Sequence, residues 1–274
     1  MDELLKHLNI ALNYTQEMLV VALVLARIMP MVVQTPFLGG KVAPPEIKMA
    51  FGVMFTIILW PIARGSITAP LPISPIPFLM LMMKEVFIGM VIGYVNSLMF
   101  TIMEMGGRLI DTARGASMSE VMVPHSGQRE TMFGDLYYHM LLVVFMALGA
   151  YGIFFEAFFM SFAAIPLNVG LPDTVGIWAL CEFLIRLTAD VFLAAVLLAA
   201  PIVAAVLVTD VVFGILNRVA PQLNAYFMAM PVKAMGGVMI ALAIMDAFVS
   251  RLTDYTTWNL AAVEKTIRLL TPHS

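Results

Sequence analysis

The sequence contains few charged residues and a single cysteine. Charged side chains make up 12% of its 274 residues, with 15 basic and 18 acidic, against about 25% in ordinary soluble domains. The formal net charge of -3 is thinly spread and cannot form a basic surface, which excludes nucleic-acid binding. Cys181 stands alone, which excludes an intrachain disulfide and a thiolate metal cluster. Its apolar neighbours predict a small buried side chain.

Patterns for catalysis and metal binding are also missing. Two pairs could serve an intramembrane protease, Asp190 with Asp210 and Ser126 with His139. Neither pair lies in a Gly-x-Gly-Asp, Gly-x-Ser-x-Gly or His-Glu-x-x-His motif, which disfavours the protease. We therefore predict no catalytic residue, no cofactor and no metal site.

Apolar residues dominate what is present. They make up 61% of the chain, and the mean hydropathy is +0.95. Long charge-free runs predict an all-α, membrane-associated fold. Candidate spans cover residues 86–103, 136–155, 191–209 and a last helix at 234–249. The run at 49–63 is short for the ~20 residues that a span needs, so it is expected to be tilted or re-entrant.

Prolines divide these runs into broken helical hairpins. Pro30 and Pro36 are expected to interrupt the first helix, and Pro201 to kink a later one. Four prolines predict an extended connector within residues 65–83, which has no charge before Lys84. Pro221 and Pro231 are expected to break one apolar helix twice.

One helix carries small residues on one side and charges at its end. Gly89, Gly93 and Ser97 recur at helical spacing and predict close approach of a second helix. Beyond Met103, charges at positions 104, 108 and 111 predict a charged helical extension. The longest polar interval follows, at residues 106–135.

A polar stripe marks the apolar helix before Pro221. Asp210, Gly214, Asn217 and Arg218 fall on one side of it at 100° per residue. Polar groups at membrane depth need protein or water partners, so this stripe is expected to contact a partner.

Three segments carry a family resemblance: DVVFGILNRVAPQLNAYFMAMPVK at 210–233, IDTARGASMSEVMVPHSG at 110–127 and SFAAIPL at 161–167. Their sequence and order resemble the SctT/FliR family, the export-gate subunits of bacterial type III secretion systems. RGAS at 114–117 and MPVK at 230–233 look more like the virulence (injectisome) branch than the flagellar one.

The resemblance implies a non-enzymatic inner-membrane subunit and a single domain over residues 1–274. This domain would pack with SctR-type and SctS-type subunits, and with the SctU-type subunit, into a heteromeric helical export gate. The gate would pass unfolded secreted proteins. The alternatives are the flagellar counterpart and, less favoured, a polytopic small-solute transporter with its site near Pro221.

Two groups of site residues are predicted, the first from the resemblance and the second from the polar stripe and the two proline breaks. A plug or pore loop would include Arg114, Gly115, Ala116, Ser117 and Met118. A polar network, either between subunits or within this chain, would include Asp210, Asn217, Arg218, Pro221, Gln222, Asn224, Pro231 and Lys233.

Overall fold

A computed structural model describes residues 14–38, 40, 43–67, 69–115, 131–170, 174–222 and 224–271. Within these ranges the regular structure is helical, which confirms the all-α prediction. The helices are α1 (Tyr14–Gln34), α2 (Pro45–Gly65), α3 (Pro75–Ala113), α4 (Met132–Ala147), α5 (Ala150–Ala164), α6 (Thr174–Val219), α7 (Ala225–Ala243) and α8 (Met245–Leu270). A short 3₁₀ turn covers Pro36–Leu38.

Four of these helices are long and apolar enough to cross a membrane: α1, α2, α3 and the Gly176–Val219 part of α6. Two interrupted pairs, α4 with α5 and α7 with α8, raise the number to as many as six. With 39 and 46 residues, α3 and α6 are about 58 and 69 Å long, against a hydrocarbon layer of about 30 Å. Both helices therefore extend beyond the hydrocarbon.

Several prolines lie inside helices, which corrects the predicted breaks. Helix α1 continues through Pro30 to Gln34, and α7 runs through Pro231. Each proline removes one backbone hydrogen bond, a loss that neighbouring helices allow membrane helices to tolerate. The break near Pro221 is confirmed, because α6 ends at Val219 and α7 begins at Ala225.

The proline-rich connector is shorter than predicted. Helix α3 begins at Pro75, so Pro75 and Pro77 occupy its first turn, where backbone amides have no acceptor within the helix. The short run at 49–63 is also corrected. It belongs to the 21-residue helix α2, with Glu46 in the first turn and Arg64 in the last, where each charge complements the helix dipole.

Two helices that were predicted to be continuous are each divided in the structure. The span expected over 136–155 is divided between α4 and α5 at Gly149, which adopts φ +67°. A positive φ is favourable for glycine and ends a helix. The last apolar helix, expected at 234–249, is divided at Ile244 between α7 and α8, which are bent by 65°.

Cys181 is exposed on α6, contrary to the prediction that it is buried. Of its apolar neighbours on α6, Leu180 is buried and Trp178 is 75% exposed, so apolar neighbours do not indicate which side of the helix is covered.

The described residues group into two compact units. Unit 1 takes them from Met1–Ser97, Gly152–Glu182 and Ala261–Ser274, and unit 2 from Leu98–Tyr151 and Phe183–Leu260. The chain passes from one unit to the other within α3, α5, α6 and α8.

Close helix packing in unit 1 depends on small residues of α3. A Cβ atom at Gly89 would collide with the Arg27 carbonyl oxygen of α1. A Cβ at Gly93 would lie 3.1 Å from Met31 Cα. The Ser97 hydroxyl donates a hydrogen bond to the Tyr94 carbonyl, at 2.8 Å, on its own helix. Helix α1 therefore reaches the backbone of α3 at Gly89.

We expect Gly89→Ala to destabilise the protein by about 1–3 kcal/mol, because the new methyl group forces α1 away from α3. Thermal unfolding in detergent would measure the change. Gly214→Ala is the control, since a Cβ there meets nothing within 4 Å. Equal stability of the two variants would contradict close packing at Gly89.

Candidate functional site

Five charged side chains are buried in the described part of the chain, and they form two clusters. Arg27, Lys84 and Glu85 lie in unit 1, and Asp111 and Arg114 lie in unit 2. Burying a charge is costly unless it is paired and hydrogen-bonded. The groups that these charges contact therefore show how the cost of their burial is offset.

The first cluster joins α1, α3 and α5. Arg27 Nε pairs with the Glu85 carboxylate. Its two terminal nitrogens donate to the carbonyl oxygens of Ser161, at 2.9 Å, and Ile165, at 2.8 Å. The guanidinium also lies over the Phe162 ring, 4.3 Å from its centroid. Arg27 therefore holds the C-terminal end of α5.

Lys84 holds the turn that follows α5. Its ammonium group donates to the carbonyl oxygens of Pro166 at 3.0 Å, Leu167 at 3.2 Å and Val169 at 2.8 Å. Glu85 Oε1 lies 2.7 Å from the same nitrogen. Glu85 thus contacts both cations.

The positive charges of Arg27 and Lys84 complement the partial negative charge at the C-terminal end of α5. The last carbonyl groups of a helix have no amide partners within it, and they carry partial negative charge. Five carbonyl oxygens at the end of α5 and beyond it accept hydrogen bonds from the two cations. The cluster thus supplies hydrogen-bond donors to the end of α5 and to the turn that follows it.

The second cluster occupies the opposite kind of helix end. Asp111, on the last turns of α3, accepts a hydrogen bond from the Phe133 amide at 2.8 Å. Thr131, at the N-cap position of α4, makes no side-chain cap bond. Asp111 therefore caps α4 from another helix. A Cβ at Gly107, one turn earlier, would collide with the backbone of Gly134, so α3 and α4 are in direct contact.

Arg114 and Gly115 end α3. The Arg114 side chain lies over the Phe133 ring, 4.6 Å from its centroid, and its Nη1 is 3.7 Å from Asp111 Oδ1. Gly115 adopts φ +77° and donates to the Thr112 carbonyl at 3.1 Å. A residue at positive φ ends a helix, and glycine does so without strain. The predicted plug residues Ala116, Ser117 and Met118 lie outside the described residues.

The predicted polar stripe lies on the hairpin of α6 and α7. Asp210 forms an ion pair with Lys233, so these two charges neutralise each other within the chain. The Lys233 side chain is 15% exposed and that of Asp210 is 46% exposed. The other polar residues of the predicted network are exposed: Asn217, Arg218, Gln222 and Asn224.

Large apolar side chains surround this stripe on both helices. Those that are more than half exposed are Leu207, Val208, Val211, Ile215, Val219, Phe227, Met228, Met235, Met239 and Leu242. The hairpin is therefore apolar towards its surroundings, with exposed polar residues near the turn.

The structure separates the acidic pair considered for catalysis. Asp190 and Asp210 lie on the same helix, α6, twenty positions apart, or about 30 Å. Ser126, from the second pair, lies outside the described residues. Within the described residues, no group of three or more His, Cys, Asp or Glu side chains could hold a metal ion.

Arg27, Lys84 and Glu85 are not among the site residues predicted from the sequence. Arg27 is an isolated cation in an apolar helix, and such a residue inside a membrane segment indicates a specific partner. SFAAIPL was noticed only as a resemblance, but its segment provides carbonyl groups to both cations. These two signals together could have identified the cluster.

Long apolar helices, with internal charges held at helix ends, define a polytopic α-helical membrane protein. The family described as "Bacterial export proteins, family 1" matches residues 18–257, most of the chain. The chain belongs to this family, and it is an inner-membrane component of a bacterial protein export apparatus.

Relatives from three bacteria cover most of the chain. The flagellar biosynthetic protein FliR of Bacillus subtilis is 26% identical over 88% of this chain and 94% of its own length. The Yop proteins translocation protein T of Yersinia pestis is 24% identical, covering 93% and 95%. The surface presentation of antigens protein SpaR of Shigella flexneri is 28% identical, covering 84% of each chain.

We expect Glu85→Gln to destabilise the protein by about 3–5 kcal/mol, because it leaves two buried cations without their carboxylate. Thermal unfolding of the purified chain would measure the loss. The control is Glu264→Gln, which removes an exposed pair with Arg268 on α8 and should cost less than about 0.5 kcal/mol. Similar losses in the two variants would contradict a structural role for the buried cluster.

Proposed function

We propose that this protein is a non-enzymatic subunit of a type III secretion export gate, where it helps to form and seal the conduit for unfolded secreted proteins. The observation that carries the proposal is the family match over residues 18–257. The conduit, its seal and the absence of catalysis are the parts that require experiments.

The injectisome branch is our preferred assignment, on the segments 114–117 and 230–233. Relatives named for Yop translocation and antigen presentation support it. The flagellar relative from Bacillus subtilis, at 26% identity, supports the flagellar counterpart as second candidate. Complementation of strains lacking the corresponding subunit of either system distinguishes the two: secretion of effectors indicates the injectisome, and restored motility the flagellum.

The α6–α7 hairpin is our proposed contact surface for the SctR-type and SctS-type subunits. Its exposed apolar side chains would be covered by partner helices, whose polar groups would meet Asn217, Arg218, Gln222 and Asn224. The Asp210–Lys233 pair is satisfied within the chain, so we assign the intersubunit role to the exposed polar residues. The SctU-type subunit is a further proposed partner, without an assigned surface.

We expect Arg218→Ala to weaken recovery of the partner subunits roughly tenfold, the effect of losing about 1.4 kcal/mol at an interface. Co-purification from native membranes through a tag on this chain would measure it. Arg218 makes no ion pair among the described residues, so the change leaves no partner charge unpaired within them. Arg268→Ala, an exposed arginine on α8, is the control. Equal recovery in both variants would argue against this surface.

We propose residues 114–118 as the plug that seals the conduit. Deletion of residues 115–119 should then make the assembled gate conduct ions at rest, because the conduit loses its closure. Conductance across planar bilayers would measure this, and co-purification of the partner subunits would verify assembly. An assembled deletion variant with wild-type conductance would exclude the plug.

A further inference from the structure

Arg114 occupies a notch that the absence of a side chain at Gly237 leaves in α7. The side chain is 8% exposed and lies between the Phe133 ring of α4 and Gly237 of α7. A Cβ atom at Gly237 would lie 2.6 Å from Arg114 Cδ and 2.9 Å from Nε. Such distances are below ordinary van der Waals contact, so a larger residue at position 237 would force the Arg114 side chain to move.

The guanidinium in this notch is poorly satisfied. Neither Nε nor Nη1 has a hydrogen-bond partner within the described residues, and the 3.7 Å separation from Asp111 is long for a salt bridge. A buried cation with unsatisfied donors is unfavourable. Because Nε and Nη1 make no hydrogen bond to the described part of the chain, the contacts that keep Arg114 in place are its packing against the Phe133 ring and Gly237.

Asp111 and Arg114 have different functions in the cluster. Asp111 caps α4 through the Phe133 amide and so joins α3 to α4. Arg114 extends this junction to α7, through Gly237. On other sides α7 exposes Met235 and Met239, so Arg114 contacts the protein-facing side of this helix.

We infer that Arg114, the first residue of the proposed plug, is a positioning residue: seated in the notch at Gly237, it fixes α7 to the end of α3 and the start of α4. Its effect on sealing rests on the proposed function. Its effect on packing does not.

Two adjacent glycines allow a matched experiment. Gly237→Ala should lower the thermal midpoint of the assembled complex by roughly 2–4 °C, a typical shift for a modest clash in a chain of this size, and should raise the resting ion conductance severalfold. Gly236→Ala, where a Cβ meets nothing within 4 Å, should change neither quantity.

A double variant tests whether the notch acts through Arg114. In an Arg114→Ala background, Gly237→Ala should cause no further loss of stability, because the colliding side chain is gone. Arg114→Ser replaces the alanine variant if the latter does not accumulate. An equal loss with and without Arg114, or identical behaviour of the alanine variants at 236 and 237, would overturn the inference.

Conductance distinguishes this inference from the proposed function. If deletion of residues 115–119 opens the gate while Gly237→Ala leaves it sealed, the plug remains supported and the effect of Arg114 on sealing is rejected. If neither variant conducts, the proposed seal itself is rejected.

Discussion

The dominant constraint on this fold is the end of α5, where carbonyl groups without amide partners in the helix accept hydrogen bonds from two buried cations. Arg27 and Lys84 bind these carbonyl groups, and Glu85 neutralises part of their charge. Gly89 lies one turn beyond Glu85 and allows the Arg27 backbone to approach α3. Gly89 and Glu85 on α3 therefore act together, because the Arg27 guanidinium reaches α5 only if α1 packs closely against α3.

Unit 2 also combines a buried carboxylate with a nearby glycine, at the N-terminal end of α4. Asp111 satisfies the first amides of α4, and Gly107, one turn earlier on α3, brings that helix against Gly134. In both units a buried carboxylate on α3 lies one turn from a glycine at a helix crossing. Close backbone approach shortens the distance that a side chain must cover, and tightly packed small residues exclude water from the charges. Buried ionic contacts are favourable only when their geometry is good and their hydrogen bonds are complete.

The sequence predicted the parts of this structure that depend on local composition. Apolar runs gave the all-α class, and Pro221 gave the break between α6 and α7. Pro30 and Pro231 gave false breaks, because a proline inside a helix costs one hydrogen bond and neighbouring helices compensate for it. The Arg27 cluster could not be derived from periodicity, since Ser161 and Ile165 are more than 130 positions away in sequence. The polar stripe was easier to notice, but its Asp210 is neutralised within the hairpin by Lys233.

The distribution of polar groups indicates where this subunit depends on its surroundings. The cluster of Arg27, Lys84 and Glu85 binds a helix end inside unit 1, and Asp111 binds another inside unit 2. The α6–α7 hairpin has the opposite arrangement, with apolar side chains outward and polar residues exposed near its turn. Lipid can cover the apolar side chains, but it cannot satisfy polar groups at hydrocarbon depth. Near this turn, the exposed polar groups therefore require water, lipid headgroups or the polar groups of another protein.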